Sequence, residues 1–262
     1  HLSIRRQRQM CIRDRAKAGK KVLLIDFDPQ GNATSGLGID KSSLDGTMSD
    51  VMSNTKVIQD IIIPTEQKGL MLAPSTPQLA NSEVELALLE KGKFSKLKDI
   101  VASLGDQFDY VMIDCPPSLG LLTINAFVAA QEVFIPIQCE YYALEGVSQL
   151  LRNIELIRTH LNPTLAVSTI LLTMYDARTR LSAQVADEVR THFPRETLDT
   201  TIPRSVRVSE APSFGQTVMT YDPLNSGALA YLEAASQIAD RGAPGATSAS
   251  PGATVRDEEG QR

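Results

Sequence analysis

The chain has 262 residues, 42% of them apolar, 5% aromatic and 22% charged, enough for one large or two modest domains. The longest apolar stretch, 119–137, is interrupted by Thr, Asn, Gln and Glu and falls short of the roughly 18 continuous apolar residues of a spanning helix, so a transmembrane protein is excluded. The first arginines precede no apolar h-region, which argues against a secretory signal. The formal net charge of −5 hides a junction: residues 1–15 carry five Arg against one Asp, residues 241–262 balance three Arg against three acids, and residues 16–240 therefore hold −9.

Taken in chain order, short apolar runs at 22–25, 70–73, 110–113, 133–137 and 167–173 read as strands. Several are continuous rather than alternating, the pattern of strands buried on both faces of a parallel sheet. Between them, Leu144, Val147, Leu150, Leu151, Ile154, Ile157 and Leu161 recur at three- and four-residue steps, and Leu181, Val185 and Val189 give a second helical stripe. Strands alternating with such helices predict an α/β fold, a doubly wound and mostly parallel sheet flanked by helices. The segment 241–262, dominated by Gly, Ala, Ser, Thr and Pro, lacks the apolar surface to offset ordering entropy and is expected to be a disordered tail. Cys11, Cys115 and Cys139 form no CxxC pair, which suits buried thiols in a reducing cytoplasm.

Ligands of open parallel sheets bind beyond the carboxyl ends of the strands. Two strands here end in aspartate: VLLIDFDPQGN delivers Asp26 and Asp28 with Gly31 in the loop, and FDYVMIDCPPS delivers Asp114. A carboxylate at the end of an apolar strand has the Walker B form, suited to orienting magnesium. Either aspartate alone is as well explained as a turn residue or helix cap. Two in one sheet, each with a proline close behind, point to nucleotide hydrolysis. The phosphate cradle G-x-x-x-x-G-K-[ST] does not occur, and Gly19-Lys20 leads into a strand instead of a helix.

Five ordered motifs, VLLIDFDPQGNATSGLG, DYVMIDCPPSLGLLTINA, PIQCEYYALEG, LLTMYDART and IPRSVRVSEAPSFGQTV, resemble the ParA/Soj family of chromosome and plasmid partitioning ATPases over about 16–240. The resemblance implies a deviant Walker P-loop NTPase fold, ATP and magnesium as cofactors, and an ATP-dependent homodimer. It further implies non-specific DNA binding and a ParB-type partner that stimulates hydrolysis, hence a cytoplasmic, nucleoid-associated protein with no membrane role. On matching positions, Asp28 is expected to position the attacking water and Asp114 to hold magnesium, through water. Gly120 is expected near the γ-phosphate, Met174 and Pro203 beside the adenine, and Arg178 and Arg207 on DNA, with Arg180 a weaker neighbour. Residues 152–207 hold eight Arg against six acids, a locally basic stretch in an acidic core.

Family members begin with a strand, a KGGVGKTT-type loop and a helix. A strand of about five residues, an eight-residue loop and a helix of roughly twelve do not fit into the 18 residues before Gly19. The leader 1–15, HLSIRRQRQMCIRDR, has no glycine and no apolar strand, and is expected to be foreign to the fold, with the first strand and P-loop absent from this chain. A non-catalytic DNA- or partner-binding pseudoenzyme is the alternative implied by the chain taken literally; a MinD-like membrane-positioning ATPase lacks the C-terminal amphipathic helix it needs.

Overall fold

Val22–Asp26 forms β1, and all five side chains are withdrawn from solvent. Leu23 and Ile25 enter one core while Val22 and Leu24 enter another on the opposite face, so an unbroken apolar run is what this strand requires. The computed structural model describes residues 20–140 and 143–241, with the backbone alone at 143–145. The leader 1–15 and residues 242–262 of the expected tail lie outside the described residues.

After β1 come a short helix α1 (Asn32–Gly36), two further short helices α2 (Met48–Met52) and α3 (Ile58–Ile61), and strands β2 (Ile63–Pro64) and β3 (Leu70–Ala73). Helices α4 (Asn81–Leu88) and α5 (Lys96–Ala102) lead to β4 (Tyr110–Asp114). These strands make one sheet in the order β2-β3-β1-β4, parallel except for β2 against β3. Helix α6 (Leu121–Ala129) then crosses to β5 (Glu132–Gln138), α7 (Ala143–His160), β6 (Ala166–Tyr175), α8 (Arg180–His192) and β7 (Thr197–Pro203). The second sheet has the order β5-β6-β7 and is wholly parallel. Short helices α9 (Val206–Glu210) and α10 (Val218–Tyr221) precede α11 (Ser226–Arg241).

The five expected strands are all present, but they lie in two sheets, because β4 pairs only with β1 and β5 only with β6 among the described residues. Helix α6 ties the halves together: Leu122 and Ala126 join the core under the first sheet, Phe127 and Val128 the core under the second. Its last carbonyls, which no helical N–H can reach, are collected by buried Asn162. The Asn162 Nδ2 donates to the carbonyls of Phe127 at 2.9 Å and Ala130 at 2.7 Å.

Two corrections fall on the helices. Leu161 lies one residue beyond the end of α7 and Leu181 is 39% exposed, so neither is core. Leu144 falls where only the backbone is described. The boundary at 241 shifts by one residue: Arg241 ends α11 and donates to the carbonyls of Glu196 and Thr197, 2.9 Å each. No helix among the described residues is long and apolar enough to cross a membrane.

Replacing Asn162 by Leu strands the α6 carbonyls in a buried site, and is expected to lower the unfolding free energy by about 1–3 kcal/mol. A lower urea midpoint with an unchanged slope is the reading that checks it.

Candidate functional site

The pairing of β1 with β4 is parallel and in register from Val22 opposite Tyr110 to Asp26 opposite Asp114. Residues in register on neighbouring parallel strands project to the same side, so two carboxylates end the sheet next to each other. Both are buried, Asp26 fully and Asp114 to 2% exposure. Burial pushes the Asp26 carboxyl up to about 7 from its usual 3.8, and the neighbouring Asp114 charge adds to the rise.

Asp26 also holds the turn and the short helix α1 that follow it. Thr34 donates to Asp26 Oδ2 through both its N–H and its hydroxyl, 2.7 Å each. The Ser75 N–H donates to Thr34 Oγ1 at 3.0 Å, and the Ser75 hydroxyl donates to the Asp28 carbonyl at 2.8 Å. Asp28, 2% exposed, accepts from the Gln30 N–H at 3.0 Å. The turn depends on Gly31, whose φ of 58° lies in the left-handed region; a Cβ there would stand 2.5 Å from the Ser75 carbonyl oxygen.

Asp28, Asp114 and the start of α6 are thus brought to one sheet edge. Gly120 is the N-cap of α6, with extended backbone, and its open side is occupied by Glu83 of α4; a Cβ there would collide with Glu83 Oε1. Among the described residues no group of three or more His, Cys, Asp or Glu is arranged to hold a metal. A magnesium ion does not need one, since it takes one or two carboxylates and keeps several waters. The hard oxygen donors of Asp114 and its neighbours fit that ion.

Met174 and Pro203 lie in the second sheet, where Tyr175 is in register with Pro203 and the Arg204 N–H donates to the Tyr175 carbonyl at 2.9 Å. They are therefore neighbours at the carboxyl ends of β6 and β7. Met174 has φ 54°, a left-handed backbone rare for a residue with a side chain, and sits where the β6–β7 register shifts. Strain of this kind persists only where surrounding structure enforces it, and it concentrates at binding sites.

Arg178 follows β6 in the segment before α8, and Arg207 lies in the short helix α9 that follows β7. Arg178 is largely exposed but grips Asp176, with Nε on Oδ1 at 2.9 Å and Nη2 on Oδ2 at 2.8 Å. That fork holds the Asp176 carboxyl down at about 2. Arg207 donates to Glu210 at 3.3 Å, stands 3.7 Å from Asp222, and lies over the Tyr221 ring. Arg180 begins α8. Cys139 is buried, with its thiol pushed up to about 11 by burial, whereas Cys115 is half-buried; Cys11 lies outside the described residues.

Thr34, Ser75 and Glu83 were not singled out by sequence. Thr34 stands within the quoted QGNATSG motif, but a hydroxyl in a short polar segment carries no sign of a buried carboxylate partner. Ser75 and Glu83 come close only through the fold, 47 residues from Asp28 in the first case.

A family model described as an AAA domain matches residues 10–167. The chain is 46% identical over 229 residues to the chromosome partitioning protein ParA of Myxococcus xanthus, covering 87% of this chain and 81% of that protein. It is 48% identical over 227 residues to the sporulation initiation inhibitor protein Soj of Bacillus subtilis, covering 87% and 89%. Among solved structures, the cobyrinic acid a,c-diamide synthase of Mycobacterium smegmatis with bound ATP analogue and magnesium aligns with a TM-score of 0.79 at 32% identity, covering 92% of this chain and 91% of that one. The cell division ATPase MinD of Pyrococcus furiosus shares the fold, with a TM-score of 0.72 at 22% identity over 91% and 93% of the two chains.

Two substitutions test this geometry. Because Asp26 has a folded-state value above its ordinary one, its ionisation opposes folding: the penalty is absent below about pH 4, grows as pH rises and is complete above about 7. Asp26→Asn keeps an oxygen for Thr34 and removes the charge. It is expected to melt several degrees above the parent at pH 8, with the gap closing by pH 4, as followed by thermal unfolding across pH. Gly31→Ala combines left-handed strain with a collision against the Ser75 carbonyl, and is expected to cost more than about 1 kcal/mol, read by chemical denaturation.

Proposed function

Since the chain belongs to the ParA/Soj family of chromosome-partitioning ATPases, we propose that the carboxylates at the ends of β1 and β4 serve magnesium-dependent ATP hydrolysis, coupled to reversible DNA binding by a dimer. The observation that carries this reading is the register of Asp26 with Asp114, which sets Asp28 and Asp114 at one buried sheet edge. A carboxylate withdrawn from water is a strong acceptor for a single positioned water molecule.

In this reading Asp114 holds magnesium through water, and Asp28 orients the water that attacks the terminal phosphate. Magnesium, when bound, neutralises charge on the phosphate oxygens. The Asp26–Thr34–Ser75 chain of hydrogen bonds keeps Asp28 in place. Gly120 leaves the first N–H groups of α6 open toward an anion, and the Glu83 carboxylate beside it must withdraw as negative charge arrives. Met174 and Pro203 supply the walls for the adenine. The 32% identical synthase crystallised with an ATP analogue and magnesium supports ATP as the ligand.

Arg178, after β6, and Arg207, in α9 after β7, are assigned to DNA phosphates. Each already holds an acid of this chain, so DNA competes with Asp176, Glu210 and Asp222 for them. Binding of that kind is weak, salt-sensitive and reversible, which suits a cargo carrier released on hydrolysis by a ParB-type partner. Nucleoid association follows from the same contacts.

The expected phosphate loop is supplied in the test by grafting a family-type strand, KGGVGKTT loop and helix ahead of Ala16. The graft is expected to hydrolyse ATP with magnesium. Asp28→Ala in that background should lose turnover by at least about 100-fold while ATP still binds in equilibrium dialysis; normal turnover would remove Asp28 from its role. Arg178→Ala or Arg207→Ala should weaken DNA binding for every sequence alike and lower the salt slope by about one per lost phosphate contact, measured by anisotropy with duplex DNA.

A further inference from the structure

The segment after β7 carries an aromatic stack at the protein surface. Phe214 and Tyr221 have ring centroids 5.1 Å apart and planes within 18°, and the Arg207 guanidinium lies 5.9 Å from the Tyr221 centroid. Tyr221 is half-buried, whereas Phe214 is 63% exposed. Since Tyr221 covers one face of the Phe214 ring, that exposure belongs to the other face and the edge.

Both rings are held by short, closed turns. The single helical turn Ala211–Phe214 follows α9 directly and is ended by Gly215, whose φ of 65° is left-handed. The Gly215 N–H donates to the Pro212 carbonyl at 3.2 Å and the Gln216 N–H to the Ala211 carbonyl at 3.1 Å. A Cβ on Gly215 would stand 3.2 Å from the Gly38 Cα, so this turn rests against the backbone that follows α1. Tyr221 ends α10, whose Val218 and Met219 are buried, and its N–H donates to the Thr217 carbonyl at 2.9 Å. Phe214 therefore offers its free face in a fixed orientation, and little ordering entropy remains to be lost when a ligand stacks on it.

The surroundings of the ring select among flat ligands. Arg207 stands against the same Tyr221 ring, and its charge is shared with Glu210 at 3.3 Å and Asp222 at 3.7 Å. An aromatic side chain of a peptide would use the ring and not the cation. Duplex DNA would use the cation and not the ring, because its bases are stacked on one another. A single strand uses both, since each nucleotide joins a planar base to a phosphate.

We propose that Phe214 is a stacking platform for one unpaired base of a DNA strand, with Arg207 on a phosphate of the same strand. The inference rests on the assignment of Arg207 to DNA phosphates and adds a contact that an intact duplex does not make. Because two acids share Arg207, the phosphate contact is weak, and the stack supplies affinity that salt does not remove.

The chain has no tryptophan, so Phe214→Trp puts the only indole of the full chain on the platform. Titrated with an oligothymidylate about twelve nucleotides long, that variant is expected to lose emission in a saturating way, while a duplex of equal length leaves the emission unchanged. Phe214→Ala should bind the single strand at least about fivefold more weakly, with the salt slope and the duplex affinity unaltered, and Phe214→Tyr should restore the parent's binding. Arg207→Ala should instead lower the salt slope. If it leaves that slope unchanged while the Phe214 effects stand, the phosphate assignment fails and the platform holds. Quenching by the duplex, a single strand that fails to bind or binds without quenching, or equal losses for single strand and duplex in Phe214→Ala overturns the proposal. So does a Phe214→Leu variant that binds the single strand as the parent does, because the contact would then be apolar and not stacked.

Discussion

The register of β1 on β4 is the constraint from which the rest of the site follows. Fixing Val22 opposite Tyr110 carries Asp26 to Asp114, and a slip of one residue would turn one carboxylate to the other face of the sheet. Apolar burial on both faces of β1 enforces that register, so the hydrophobic cores and the carboxylate pair are one device. The cost is a buried like-charge neighbour for Asp26, and Thr34 offsets part of it with two hydrogen bonds.

Much of this was legible in the residues. Runs such as Val22 to Ile25 and Ile170 to Leu172 are continuous because their alternate side chains enter different cores, and that leaves a plain mark in sequence. Strand β7 leaves none: TLDTTIP mixes polar and apolar residues, and β6 and α11 decide its place. Helix α11 leaves little mark for a related reason, since its buried positions are largely alanine and glycine with Tyr231 and Ile238, a weak stripe by hydropathy. The division into two sheets was not legible either, because strand neighbours are set by tertiary pairing and β4 reads like β1.

At the site, carboxylates were legible and their supports were not. Asp26 and Asp114 announce themselves by ending apolar runs, with Asp28 two residues on, whereas Ser75 reaches Asp28 from a distant loop and Glu83 fills the space beside Gly120 from another helix. Arg178 and Arg207 show the opposite bias. Charge counting registers them as basic, but the fold pairs each with an acid, so the surface they present is less positive than the sequence suggests.

The make-up of β4 bears on how the chain behaves at high concentration. An apolar edge with unpaired N–H and C=O groups is a template for pairing between molecules, and natural strands blunt it with proline, charge or a bulge. Strand β5 carries such a residue in Pro136, whereas the core of β4, Tyr110 through Ile113, contains no proline and no charge. Val111 and Ile113 pack against one core and Tyr110 and Met112 against the other, so a gatekeeper charge placed on β4 would gain solubility only at a cost in packing on one of the two faces.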